Sequence, residues 1–250
     1  MFSGIQFVNF INDKGECGLE SPLIYFMEKL IQLSYKNFLD TSHTIAEKIF
    51  EKINYPWEAL SLIKDFIKEV GPTLSKEEYD EIAENVWVSK KATVFPSAHI
   101  EGPTIIQENA QIRHCAFIRG SAIVGKNCVV GNSTELKNVI LFDNVQVPHF
   151  NYVGDSILGY KSHMGAGSIT SNVKSDKSPV AVKLENEKIQ TDLKKFGAIL
   201  GDYVEIGCNA VLNPGTIIGR NSTVYPTSMV IGVIEESTIL KNNGKMVKKI

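Results

Sequence analysis

The chain has 250 residues, with 26 Lys and Arg against 28 Asp and Glu and a formal net charge of −2; 43% of residues are hydrophobic and 22% charged. That is ordinary globular usage, enough for one large domain or two small ones. The near-neutral balance excludes a generic basic nucleic-acid binder and equally an acidic disordered chain.

The first residues carry neither a basic n-region nor a continuous apolar core, and no apolar run approaches the roughly 20 residues of a membrane helix. The expectation is a cytoplasmic protein with no membrane partner and no secretory leader. Cys17, Cys115, Cys128 and Cys208 are scattered without a CxxC pair. They read as reduced thiols serving as small buried hydrophobes.

Residues 1–85 read as an α-helical region. Ser21-Pro22 offers a cap followed by Pro at the first helical position, and Leu23, Met27, Leu30 and Ile31 recur at helical spacing toward Phe38. A second helix is expected from about Ser42 through Ile49 and Phe50. A third starts at Pro56, carries Leu60, Ile63 and Ile67 on one stripe, and stops at Gly71-Pro72. Ser75 and Glu78 have capping-box spacing and predict a short fourth helix. These stripes are packing surfaces without evident chemistry, and the helices are expected to cap the first coil of the repetitive region that begins near Val86.

From Val86 the period changes. Every sixth residue is aliphatic: Val88, Val94, Ile100, Ile106, Ile112, Ile118, Val124, Val130, Leu136. Two residues before each from Val94 onward stand Ala92, Ala98, Thr104, Ala110, Ala116, Ala122, Cys128 and Thr134, all small. A helix would smear a six-residue period around its surface, because six residues are about 1.7 turns. Short strands interrupted by a turn every six residues satisfy it. Three hexads then make one triangular coil of about 18 residues, and coils stack to bury what each exposes alone. The pattern breaks over about 137–156, returns at Leu158 and Met164, breaks again over about 171–197, and resumes from Leu200 to Val230. Six to seven coils are expected over 86–250. Val180 to Leu184 and Lys188 to Gln190, joined across residues 185–187 in an inserted loop, look like a small hairpin, either an arm reaching a neighbouring subunit or a solvated loop.

Arg119 and Lys137 are 18 residues apart, which stacks two cations on one face. That is unfavourable unless an anion sits between them, and a phosphate is a natural candidate. Two solvated corner residues are the alternative. His149 lies in the irregular segment beyond them and is a candidate general base or a structural imidazole. Gly165-Ala166-Gly167 could leave backbone N–H groups for an oxyanion, or simply punctuate a turn. His99, His114, His149 and His163 do not fall at multiples of the coil length. A three-His zinc site is therefore not expected, nor any metal requirement.

Residues 149–156 (HFNYVGDS) and 164–172 (MGAGSITSN), with Glu135-Leu-Lys-Asn138 and Arg119-Gly120 upstream, resemble the acetyltransferase domain of the bifunctional glucosamine-1-phosphate acetyltransferase/N-acetylglucosamine-1-phosphate uridyltransferase family. Residues 194–202 and 207–219 resemble sugar-phosphate nucleotidyltransferases with an appended left-handed β-helix. The resemblance covers about 86–235. It implies a mainly β fold, a left-handed parallel β-helix of hexapeptide repeats, and homotrimers with sites between subunits. It further implies His149 as the base toward a substrate amine and Glu135 as the carboxylate orienting it. Arg119, Lys137 and Tyr152 would hold the sugar phosphate, and Asn172 would position the amino sugar. The Ala166 N–H would be the oxyanion donor. Acetyl-CoA would be the co-substrate, with an amino-sugar phosphate destined for cell-envelope precursors as acceptor.

Three positions depart from the family. His163 stands where an Asn is usual in the sugar pocket, Val173 replaces an aromatic residue, and Lys177 aligns only loosely with a site lysine. Residues 1–85 carry no Gly-rich triphosphate loop, so the resemblance does not extend to uridyl transfer. A non-catalytic sugar-nucleotide-binding scaffold is the competing reading.

Overall fold

The computed structural model describes residues 8–11, 17–20, 31–184 and 187–249. The expected helix start at Ser21-Pro22, with Leu23, Met27 and Leu30, lies outside them. Residues Val8–Ile11 and Cys17–Glu20 pair as an antiparallel hairpin, so the N-terminal region is not helical throughout. Among the described residues no helix is long and apolar enough to cross a membrane.

From Val86 onward the chain winds as a β-solenoid of about eight coils. The ladder is parallel and its first step is 18 residues: Val86 pairs with Thr104, and Thr104 with Ala122. The apparent break over 137–156 is not a break in the coil. Ala122 pairs with Val139 and Glu135 with Tyr152, each a step of 17 residues. One residue is lost from one side of each of two coils, so a strict count of six slips while the winding continues. Followed with that slip, the inward column runs from Leu136 through Leu141, Val147, Val153, Leu158 and Met164 to Thr170, all fully buried. Thr170 is the polar member, and its Oγ1 accepts from the Gly154 N–H at 2.9 Å. The 171–197 interruption is a true insertion: Ile157 pairs with Ile199 across it.

One side of the prism departs from polar-out alternation. Its strands include Thr104–Ile106, Ala122–Val124, Ala198–Leu200 and Thr216–Ile218, and every residue in them is buried. The outward residues Ile105, Ile123, Ile140, Ile157, Ile199 and Ile217 have no exposure. The helical segment covers the middle of this row. The helix Ile63–Val70 packs along Ala122–Val124 and Glu135–Leu141, and the 3₁₀ turn Pro56–Ser61 along Tyr152–Leu158. The rings of Phe50 and Phe142 meet edge-on at 5.6 Å, and Trp57 lies 6.2 Å from Phe196. A Cβ on Gly71 would lie 2.3 Å from the Trp87 ring, so the stop signal also lets the helix end press on the first coil.

The helices therefore line a side of the solenoid rather than cap its first coil. Strand Tyr79–Ala83 pairs antiparallel with Val86–Ser89 beside the first coil, and Met246–Lys248 does the same against Thr238–Leu240 at the last. The expected helix at Ser75 is one turn, with the Tyr79 N–H bonded to the Ser75 carbonyl at 2.9 Å, before that strand begins.

The inserted hairpin, Ala181–Leu184 with Glu187–Gln190, forms as the pattern suggests. It does not reach away as an arm. Val180, Val182 and Leu184 are buried, and Ala181–Leu184 lies on Thr216–Ile218 and Val233–Ile234. It continues the apolar cover where the helices stop. Of the cysteines, Cys128 is buried but Cys115 and Cys208 are exposed at a coil corner, because side chains at a corner point away from the packed column.

Candidate active site

At one corner of the prism successive coils contribute His114-Cys115, Asn132-Ser133, His149-Phe150, Ala166-Gly167 and Cys208-Asn209. The second residue of each pair has left-handed φ, from +53° at Ser133 and Phe150 to +71° at Gly167. That conformation turns the chain between two sides. Ladder bonds link the corners: Phe150 N–H to the Asn132 carbonyl at 2.9 Å, Gly167 N–H to the His149 carbonyl at 3.0 Å. His149 and Ala166 are thus on adjacent coils.

Close approach at this corner depends on Gly131. A Cβ there would sit 1.6 Å from the Pro148 carbonyl oxygen. His149 is exposed, and its imidazole makes no hydrogen bond among the described residues. Its backbone is held by Asn151, whose Oδ1 accepts from the His149 N–H at 3.1 Å. The Asn151 Nδ2 donates to the carbonyls of Gly165 (2.9 Å) and Ser168 (3.1 Å). One buried amide therefore ties the His149 turn to the Gly165–Ser168 turn. Within that second turn, the Ala166 N–H donates to no protein acceptor among the described residues.

Around the corner, the strands Phe117–Arg119, Glu135–Leu141 and Tyr152–Leu158 form a polar edge. Pairing of Ile118 with Leu136 brings Lys137 alongside Arg119, as the spacing requires. The anions between the cations are the chain's own. Arg119 Nη1 donates to Glu135 Oε1 at 2.7 Å, and Lys137 Nζ to both oxygens of Asp155 at 2.9 and 3.2 Å. The stack therefore does not by itself demand a bound phosphate. Glu135 holds the Arg119 guanidinium up in its proton affinity rather than touching His149.

Asn172 Nδ2 donates to the Tyr152 hydroxyl at 3.2 Å and also to Asp155 Oδ2. Burial raises the Tyr152 phenol above its ordinary value, with Asp155 and Glu135 adding to the shift. The phenol lies across Gly154, where a Cβ would be 2.5 Å from its oxygen.

Arg119, Glu135, Lys137, Tyr152 and Asn172 thus lie along one polar edge, and His149 with Ala166 forms a second group one corner away. His163 joins neither within the chain: its Nδ1 is 2.9 Å from Glu205 Oε2, on the side that carries Gln146. Lys177 is exposed in the insertion, and its side chain makes no hydrogen bond among the described residues. Sequence reasoning misses Asn138, Asn151 and Asp155. A signal exists for Asp155, the one charged residue within the strand Tyr152–Leu158. None exists for Asn151, whose partners are backbone atoms of another coil.

Residues 100–207 match the GMPPB C-terminal domain. A bifunctional protein GlmU of Methanococcus vannielii is 36% identical over 200 residues, 79% of this chain and 48% of the relative. A bifunctional sugar-1-phosphate nucleotidylyltransferase/acetyltransferase of Sulfurisphaera tokodaii is 28% identical over 163 residues, 58% of this chain and 41% of that protein. Among solved structures, a hexapeptide transferase family protein from Anaplasma phagocytophilum is 16% identical with a TM-score of 0.37, covering 66% of this chain and 80% of that one. The chain spans about half the length of the curated relatives it matches. Over that span it is similar to the bifunctional GlmU proteins.

Proposed function

We propose that the chain is an acetyl-CoA-dependent N-acetyltransferase acting on an amino-sugar phosphate such as glucosamine-1-phosphate, working in the cytoplasm as a homotrimer. The observation that carries this reading is the corner pairing of an exposed imidazole, His149, with the uncommitted N–H of Ala166 on the adjacent coil. Acyl transfer to an amine needs a base for the attacking nitrogen and a donor for the tetrahedral oxyanion. Kinship with bifunctional nucleotidylyltransferase/acetyltransferases supports the same class.

In this reading the amine lone pair attacks the thioester carbonyl of acetyl-CoA while His149 takes the amine proton. The oxyanion is held by the Ala166 N–H. Collapse forms the amide and expels coenzyme A thiolate, which recovers a proton. Lys137, Tyr152 and Asn172 bind the amino-sugar phosphate, and Arg119 reaches its phosphate by exchanging Glu135 for it. That exchange is inexpensive because the Arg119–Glu135 pair is partly exposed, and such pairs contribute little. A neighbouring subunit would place His163 and Lys177 against this edge, which one chain does not do. No metal takes part in this scheme.

A thiol-release assay with acetyl-CoA and glucosamine-1-phosphate tests the proposal. His149→Ala is expected to lower kcat by about 10²–10⁴, the usual worth of a positioned general base. Absence of turnover across a panel of amino-sugar phosphates would remove the substrate class, and an unchanged rate in the variant would remove the base.

A further inference from the structure

Asp155 has no role in the scheme above, yet it is the most connected side chain at the polar edge. Its side chain is 4% exposed. Its backbone is left-handed, with φ +48°, inside the seven-residue strand Tyr152–Leu158. Lys137 Nζ, Asn138 Nδ2 (3.0 Å) and Asn172 Nδ2 all donate to its two oxygens. Asn138 Nδ2 also donates to the Leu60 carbonyl at 3.2 Å, tying the cluster to the helical cover. The Gly197 N–H holds the Asp155 carbonyl from the next coil at 2.8 Å.

A carboxylate is acceptor-only, so the atom Asn172 turns toward it must be the amide nitrogen. That nitrogen has two hydrogens, and Asp155 and the Tyr152 oxygen use both. Any ligand at the edge therefore meets two partners of fixed polarity. Asn172 has only its carbonyl oxygen left, which accepts from an N–H or O–H. Tyr152 receives a hydrogen on its oxygen from Asn172, which leaves its own O–H hydrogen free to donate to an anionic or carbonyl oxygen.

We propose that Asp155 is a positioning residue that fixes the hydrogen-bond polarity of the substrate edge, making Asn172 an acceptor for the sugar's amine or hydroxyl and Tyr152 a donor to its phosphate. The inference deepens the proposed function and takes its substrate class from it. Asp155 does not touch substrate; it acts through Asn172, Tyr152 and Lys137. The same carboxylate spares Lys137 an unpaired charge at a largely buried position, where losing one partner is costly.

The variant that separates this role from simple support is Asp155→Asn. Asn tolerates left-handed backbone at least as well as Asp, so the strand is preserved. The amide introduced by Asp155→Asn can offer an N–H toward position 172, which allows the Asn172 amide to turn over and present its nitrogen to the ligand. The expected result is a rise in KM for the amino-sugar phosphate of roughly tenfold, the worth of one hydrogen bond of ordinary net strength. KM for acetyl-CoA and kcat should change little.

A second readout needs no turnover. In the ligand-free protein, labelling of Lys137 Nζ by an amine reagent, followed by mass spectrometry, should speed up several-fold in Asp155→Asn, because the ammonium loses its charged partner and one of its two bonds to it. Unchanged labelling together with unchanged sugar-phosphate KM would overturn the inference. A loss confined to kcat would overturn it as well. Wild-type protein that turns over no sugar phosphate would defeat the proposed function, while the labelling result would still judge the positioning of Lys137.

Discussion

Ile123→Ala tests the packing on which the architecture depends. In a free-standing solenoid Ile123 would face water, since its neighbours Ala122 and Val124 point inward and side chains alternate. Truncating an exposed residue costs within about 0.5 kcal/mol. Here Ile123 has no exposure, because Ile63–Val70 packs across its strand. Removing a buried isoleucine forfeits a transfer contribution of about 1.5–3 kcal/mol and leaves a cavity, for a total of roughly 2–5 kcal/mol.

Both tryptophans lie on this seam, Trp57 at 3% exposure and Trp87 at 6%. Their fluorescence during urea titration reports the interface itself. At a slope of about 3 kcal/mol/M the midpoint should fall by roughly 1 M. Gln111→Ala, on an exposed outward position of another side, is the control. A shift for Ile123→Ala no larger than the control's would mean that the helices do not cover this side in solution, and the burial argument would fail.

Gly131→Ala should cost about 1–3 kcal/mol by overpacking against the Pro148 carbonyl and should displace His149, lowering kcat more than an equally destabilising change elsewhere; thermal melts paired with the thiol-release assay check this. Val182→Lys should destabilise by several kcal/mol and loosen the inserted hairpin, read as faster proteolysis between residues 171 and 197, because Val182 is fully buried against the last coils. Cys115 and Cys208 should react with a thiol reagent in the native protein, whereas Cys128 should react only on unfolding, as mass mapping will show. Burial raises the Cys128 thiol well above its ordinary range, so the folded state keeps it protonated where the unfolded chain ionises. The unfolded state therefore binds fewer protons above about pH 8.5, and this contribution to stability is lost progressively as pH rises from the unfolded thiol's range toward the folded one's. Cys128→Ala should flatten that alkaline decline in a pH series of urea midpoints.

Sequence alone determined the winding. A six-residue repeat of aliphatic side chains with small residues two before them has few ways to bury itself, and stacked three-sided coils are a local solution repeated along the chain. Coil length also set Arg119 beside Lys137, whereas Glu135, Tyr152 and Asn172 were implied only by the family resemblance. The cover of the third side was written as well, in Ile105, Ile123, Ile140, Ile157, Ile199 and Ile217, although a search for six-residue columns passes over them. What covers that side was a matter for tertiary structure, since an apolar outward row accepts any apolar partner and only packing selects the helices and the hairpin. The same holds for charge. Spacing stacks Arg119 on Lys137, but the carboxylates that neutralise them are Glu135, 16 residues from Arg119, and Asp155, 18 from Lys137, each reached from a neighbouring coil. Which oxygen meets which nitrogen depends on rotamers and on left-handed corners, quantities that a one-dimensional period does not carry.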